Sequence, residues 1–216
     1  MKLIEATQKV EIDLGDVRLK GILTIPENVR GIVVFSHGSG SSHLSPRNNF
    51  VANLLNEKRF ATLLFDLLTE REDSLYEKRF DIVLLTKRLI KVTQWLKNNY
   101  STSSINDIGY FGASTGSASA LKAAVFFGNS IKAVVSRGGR TDLAGNDLSK
   151  IKSPTLFIVG GLDAVVIELN RMAYNKLKCE KQLEIVQEAS HLFEEYGKLE
   201  EVTKLTIDWF SKYLKN

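Results

Sequence analysis

Cysteine is almost missing from this 216-residue chain. Cys179 stands alone, so no disulfide can close within the chain, and the usage fits a reducing cytosol. It sits between Lys178 and Glu180 and reads as a structural residue rather than a nucleophile. No apolar run is long enough to cross a bilayer. Met1-Lys2-Leu3-Ile4-Glu5 turns charged too early for the apolar core of a leader peptide. Charge of one sign is lacking too: 29 lysines and arginines against 25 acids leave a mild +4, scattered, with no basic block and no interleaved aromatics. That speaks against a nucleic-acid partner, as the missing apolar runs speak against a membrane one. There is no Cys/His cluster at zinc spacing, no Gly-x-x-x-x-Gly-Lys-Ser/Thr loop and no Gly-x-Gly-x-x-Gly, so neither a metal nor a nucleotide cofactor is expected.

What is present suits one domain over residues 1–216 with a sizeable core, at 44% hydrophobic and 25% charged content. Residues 8–14 alternate apolar and polar, Gly15-Asp16 follows, and 17–25 alternate again, the pattern of an antiparallel hairpin. Residues 31–36 and 60–68 are continuous apolar runs, the mark of strands buried on both faces. Further strands are expected at 108–111, 131–136, 154–159 and 182–186. Helices are expected at about 47–58, 79–98, 166–177 and 193–214, with another directly after Ser114, and the charged stretch 69–78 reads as a surface loop. Strand and helix alternate from the third strand onward, which predicts an α/β fold: a mostly parallel sheet of about seven to eight strands, helices on both faces and an N-terminal antiparallel hairpin. Functional groups in such sheets gather at the carboxyl ends of the strands.

The chain is organised around Gly112-Ala113-Ser114-Thr115-Gly116, a Gly-x-Ser-x-Gly between an apolar run and a small-residue helical run. In a strand–turn–helix context this motif lifts the serine hydroxyl out of the sheet. Two glycines allow strand and helix to approach closely, and the helix start turns free N–H groups toward any oxyanion formed there. Asp163 follows a later strand and His191 the last one, in the order Ser, Asp, His. A serine hydroxyl needs a base to take its proton. Imidazole suits that role, and a carboxylate fixes the imidazole's orientation. Asp142 and Asp147 are alternative acids, while Asp66 precedes Ser114 and reads as a structural hydrogen-bonding residue. His37 is expected to shape the glycine loop His37-Gly38-Ser39-Gly40, and His43 to line the mouth of the site. The backbone N–H groups of Thr115 and Ser39 are the expected oxyanion donors. Arg137 and Arg140 end a strand on the same rim, where one or both bind a substrate carboxylate or phosphate or brace the loop through carbonyls or Asp142.

These residues, with Ser45-Pro46-Arg47-Asn48, Leu64-Phe65-Asp66-Leu67-Leu68-Thr69-Glu70, Val135-Ser136-Arg137-Gly138-Gly139-Arg140 and His191-Leu192-Phe193-Glu194-Glu195, resemble α/β-hydrolases of the dienelactone hydrolase-like group. The likeness is greatest to the small serine-hydrolase domains that some proteins fuse to a phosphoribosyltransferase, a segment these 216 residues do not carry. The resemblance implies the α/β-hydrolase fold and a serine triad but no particular substrate. Dienelactone hydrolases proper use a cysteine nucleophile where this chain has Ser114, which favours ordinary ester chemistry. Only residues 138–153 link the sixth and seventh strands, too few for a cap, so the site should be open to esters of small or accessible acyl groups. Thioester hydrolysis or acyl transfer, and a non-catalytic interaction domain on the same fold, are the competing readings.

Overall fold

The structure, a computed structural model, describes residues 6–100 and 107–215; the expectation about a leader in Met1–Glu5 lies outside the described residues. Its frame is an eight-stranded sheet in the order β1-β2-β4-β3-β5-β6-β7-β8. β1 (Ala6–Asp13) and β2 (Arg18–Ile25) form the expected hairpin, with Asp13 opposite Arg18 and Ala6 opposite Ile25. Asp13 Oδ1 accepts the N–H of Gly15, whose φ of +85° suits a residue without Cβ. β2 runs antiparallel to β4 (Ala61–Phe65). From there β3 (Ile32–Ser36), β5 (Ile108–Ala113), β6 (Ile131–Arg137), β7 (Thr155–Gly160) and β8 (Lys181–Val186) continue in parallel.

Every residue of β3, β4, β5 and β7 is buried, as their unbroken apolar runs require, because helices cover both faces. One core joins the sheet to α3 (Ile82–Tyr100), α4 (Thr115–Phe127) and α5 (Ala164–Lys176), through Leu85, Leu89, Val92, Leu121 and Ala173. The opposite core holds α1 (Pro46–Glu57) and α6 (Lys198–Tyr213) against Val33, Phe35, Phe111 and Val135. Val202, Trp209 and Phe210 of α6 point inward as the helical stripe predicts, with Leu205 and Tyr213 half-buried beside them. α1 begins with Ser45 capping the Asn48 N–H and with Pro46 in its first turn.

Three boundaries differ from the sequence reading. Residues 69–78 are not a plain loop: Thr69 and Glu72 close a reciprocal capping box on a short helix, α2 (Glu70–Asp73), followed by a 3-10 turn at Tyr76–Phe80. The polar stretch Thr141–Lys150 is likewise 3-10 helical, broken at Gly145, whose φ is +59°. Conversely, the last helix starts only at Lys198, and residues 187–197 form a loop held at two left-handed non-glycine positions, Glu188 (φ +57°) and Phe193 (φ +58°).

Candidate active site

Ser114 occupies the sharp turn between β5 and α4, with φ +50° and ψ −121°. That backbone is strained for a residue with a side chain, and it persists because its neighbours determine it. The Ser114 N–H donates to the Arg137 carbonyl at 3.1 Å, and its own carbonyl accepts from the Arg140 N–H at 3.0 Å. The flanking glycines are fixed by contact. A Cβ on Gly116 would lie 2.0 Å from the Ser36 carbonyl oxygen, and one on Gly112 would lie 2.5 Å from the Ser117 Cα. α4 therefore presses on β3 and β5 at a distance that only glycine permits.

Asp163 and His191 meet directly: His191 Nδ1 lies 2.6 Å from Asp163 Oδ2. A carboxylate only accepts, so Nδ1 carries the proton and Nε2 presents a lone pair. The two loops are stitched together beneath this pair. Leu162 N–H donates to the Ala189 carbonyl, Ser190 N–H donates to Glu195 Oε1, and a Cβ on Gly160 would be 2.4 Å from the carbonyl oxygens of Ala189 and Ser190. The imidazole packs over Gly138, where a Cβ would be 3.3 Å from its Cε1. Because Ser114 bonds to Arg137 and Arg140, on either side of that glycine loop, the serine and the imidazole share one rim of the sheet. No Ser114 Oγ–His191 hydrogen bond forms, and catalytic hydrogen bonds commonly tighten only when substrate is bound.

Ser114 and Asp163 are also the N-cap residues of α4 and α5, yet neither caps its helix. Serine and aspartate are favoured at that position for the cap bond, worth about 1 kcal/mol. Asp163 gives its carboxylate to His191 instead, and Ser114 leaves its hydroxyl uncommitted. Thr115 is the first residue of α4, a position whose N–H has no carbonyl partner within its own helix, which is the geometry an oxyanion donor requires.

The second expected donor needs correction. The Ser39 N–H is not free: it donates to Thr115 Oγ1 at 2.9 Å, so the Thr115 hydroxyl stands between that amide and the nucleophile's turn. The Thr115 Oγ1–H retains a donor of its own, since a hydroxyl accepts and donates at once. The Gly38–Ser39 segment does reach the nucleophile, because a Cβ on Gly38 would be 3.1 Å from the Ser114 Cβ.

His37 shapes the glycine loop. Its Nδ1 lies 2.9 Å from the Gly38 carbonyl, and its Nε2 accepts the Leu67 N–H at 3.0 Å. Burial holds its pKa below the ordinary imidazole value, so it is a neutral staple between two loops. His43 is tied to Asp66. Its backbone N–H and its Nδ1 both lie 2.8 Å from Asp66 Oδ1, and it faces a cavity of about 530 Å³ walled by Lys9, Glu11, Lys20, Gly21, Asp66 and Glu70. Asp66 is thus the structural hydrogen-bonding residue expected. Arg140 braces its loop: Nε and Nη2 each donate to an Asp142 oxygen at 2.9 Å, which commits Asp142 to that arginine rather than to His191. Asp147, the other rival, pairs with Lys122 and Lys150. Arg137 is different. It is only 7% exposed, and its Nε and Nη1 are buried with no hydrogen-bond partner. Arg47, read only as part of a motif, lies close enough for its charge to act on Arg137.

Among the described residues there is no cluster of acids, histidines and cysteines able to hold a metal ion, and no helix long and apolar enough to cross a membrane. Burial pushes the Cys179 thiol pKa up, consistent with an inert residue.

No protein-family profile matches the chain. It is 48% identical to a dienelactone hydrolase from Anabaena variabilis whose crystal structure superimposes with a TM-score of 0.93, over 98% of this chain and 99% of that one. Est1E from Butyrivibrio proteoclasticus shares the fold at 17% identity and a TM-score of 0.81, over 94% and 98% of the two chains. Two Mycobacterium tuberculosis proteins, provisionally named phosphoribosyl transferases, are 53% identical over 207 residues, 96% of this chain. That match takes in 46% of their length, so the chain spans about half of the curated relatives it resembles.

Proposed function

The chain belongs to the dienelactone hydrolases of the α/β-hydrolase fold, and on that footing we propose that it is a serine hydrolase cleaving carboxylic esters of small or accessible acyl groups. Ser114 is the nucleophile, His191 the base and Asp163 the orienter. The observation that carries this reading is the diverted pair of caps: a strained serine with an uncommitted hydroxyl, and an aspartate turned from its helix to the imidazole.

In the first half-reaction Ser114 Oγ attacks the ester carbonyl while His191 Nε2 takes its proton. The carbonyl oxygen gains the charge and is held by the Thr115 N–H with the neighbouring Thr115 hydroxyl. Collapse of the tetrahedral species expels the alcohol, which receives the proton from His191, and leaves an acyl-serine. Water, deprotonated by the same imidazole, then releases the acid and restores Ser114. Asp163 keeps Nδ1 protonated throughout and stabilises the imidazolium.

The 3-10 segment that links β6 to β7 builds no cap, which supports accessible rather than deeply buried acyl chains. A cytoplasmic setting accords with the single unpaired thiol. The test is hydrolysis of p-nitrophenyl acetate together with labelling by a fluorophosphonate. Both should respond in the wild type, and both should vanish in Ser114→Ala. Equal behaviour of the two proteins would overturn the reading, and a preference for acetyl thioesters over oxygen esters would move it to thioester chemistry.

A further inference from the structure

The described residues leave eleven large apolar side chains exposed, and these are not spread evenly. Leu44 lies in the loop after β3. Leu75, Tyr76 and Phe80 lie in the segment after β4, with Val83 in the first turn of α3. Leu162 and Val165 flank Asp163, and Leu192 and Tyr196 belong to the loop after β8 that carries His191. All of these follow the carboxyl end of a strand, on the rim that holds Ser114. Only Phe126, at the end of α4, and Met172, inside α5, lie elsewhere. Single apolar residues on a surface are ordinary, but their gathering on one rim marks a place where something apolar is met.

The gathering has two flanks with the nucleophile between them. One is the Tyr76–Phe80 turn with Leu44. The two rings touch each other, 4.9 Å between centroids, and Arg79 of the same turn lies 3.8 Å from where a Gly40 Cβ would be. The turn therefore adjoins the glycine loop, whose Gly38 reaches Ser114. The other flank is the pair of loops that carry Asp163 and His191, held together by the Leu162 N–H on the Ala189 carbonyl. In the sheet order, β4 and β8 stand five inter-strand spacings apart with β5 between them. At about 4.8 Å each, that is about 24 Å. A small ester held at Ser114 touches one flank, whereas an extended apolar surface touches both. The side chains also project: Tyr196 is fully exposed, and Tyr76 is 73% exposed. Projections on separate loops suit a soft surface that closes around each, where a protein partner needs a matching socket for every one. A tyrosine ring suits such a boundary, with its hydroxyl left on the wet side.

We propose that the Ser114 rim docks on the surface of an uncharged lipid aggregate, and that the esters hydrolysed are presented from that surface. The proposal rests on the ester-hydrolase reading of Ser114 and adds the physical state of the substrate to it. Spanning a bilayer takes a long apolar run, but resting on a lipid surface takes only side chains that enter its outer layer. Charges of both signs stand among the apolar residues, Glu77 beside Lys78 and Glu188 near Lys198, so the rim does not select an anionic headgroup.

Tributyrin, followed from below its solubility limit to above it, tests this against dissolved p-nitrophenyl acetate. The wild-type rate on tributyrin should rise steeply where droplets form. The triple variant Leu44→Ser, Tyr76→Ser, Tyr196→Ser should lose about tenfold or more of the droplet rate, since burying even one large apolar side chain is worth a factor of that order. Its rate on p-nitrophenyl acetate should stay as in the wild type. The pair Phe126→Ser, Met172→Ser, away from the rim, should change neither. In parallel, Ser114→Ala is floated with trioctanoin droplets coated in phosphatidylcholine. Flotation that the triple variant abolishes supports docking even if no ester is turned over, in which case only the ester reading falls. No rise at the solubility limit together with no flotation, or an equal loss in the Phe126/Met172 pair, overturns docking and leaves the ester reading intact. A wild type that sediments as a dimer, with the triple variant a monomer, gives the rim to a second copy of this chain and overturns the lipid surface. Should the triple variant fail to fold, flotation of Ser114→Ala with and without Tyr196→Ser decides.

Discussion

Replacing Arg137 by methionine should make the protein more stable, which few substitutions of a buried residue do. Methionine keeps the unbranched stem that packs beside Val135 on the α1 and α6 side of the sheet, and it removes a cation that has no carboxylate to lose. Replacing unfavourable buried charge by apolar groups of similar volume gains about 1–4 kcal/mol in other systems. For a chain of this length each kcal/mol moves the midpoint by roughly 2–4 °C, so an increase of roughly 2–16 °C is expected. Thermal unfolding followed by circular dichroism, in a buffer free of phosphate and carboxylates, measures it. Arg88→Met is the control of opposite sign. It takes the guanidinium from Glu72, whose side chain is 22% exposed, while Asp16 keeps Lys91 at 2.8 Å, so it should melt below the wild type.

Burial holds the folded pKa of the Arg137 guanidinium at about 10, below its ordinary value. Below pH about 10 both folded and unfolded chains hold its proton, so the advantage of Arg137→Met should be flat through neutral pH. Between those two values the unfolded chain binds more protons, wild-type stability rises, and the gap should narrow. If Arg137→Met melts below the wild type in the anion-free buffer, the guanidinium is a net stabilising contact and the unpaired-cation argument is refuted.

Thr115→Val should lower kcat for p-nitrophenyl acetate about tenfold or more while Thr115→Ser retains it, because the hydroxyl stands where the Ser39 amide would otherwise donate; unchanged kcat in the valine variant would return the donor role to the Ser39 N–H. Gly116→Ala should destabilise by about 3 kcal/mol or more, since its Cβ would meet two carbonyl oxygens, whereas Gly128→Ala, with φ +55° and open space around it, should lose only about 1 kcal/mol; denaturant midpoints of the two compare them. Glu72 is partly buried, which raises its pKa, but the Thr69 N–H and Arg88 more than offset that and hold it below the ordinary value of 4.5. Its stabilisation is complete above that value and lost as pH falls through the lowered folded one, so wild type and Glu72→Gln should converge in acid and diverge toward neutrality in pH-dependent melting.

The parts of this molecule that could be read before folding are those where one residue type satisfies one local demand. Gly112 and Gly116 announce a close approach, and the structure supplies its partners, Ser117 and the carbonyls of Ser36 and His37. The buried strands announce themselves by unbroken apolar runs, and His37 by its place before a glycine loop. Where two outcomes share one residue pattern, the sequence is silent. Thr69-x-x-Glu72 is a capping box only if a helix follows, and a charged stretch of ten residues hid it. Arg137 and Arg140 are both arginines at the same strand end, yet Asp142 lies within reach of one and no acid lies within reach of the other. That difference is set by which way each side chain leaves the strand. Arg137 shares its face with Ala133 and Val135, toward α1, whereas Arg140 lies past the strand end beside its own acid. Ser39 is the same kind of case, since its amide is a donor by position but is claimed by a hydroxyl on the facing helix. Sequence motifs in this fold therefore locate the machinery at the rim of the sheet, while the identity of the unsatisfied groups there follows from packing between elements remote in the chain. Those unsatisfied groups, not the motif, are what a substrate would meet.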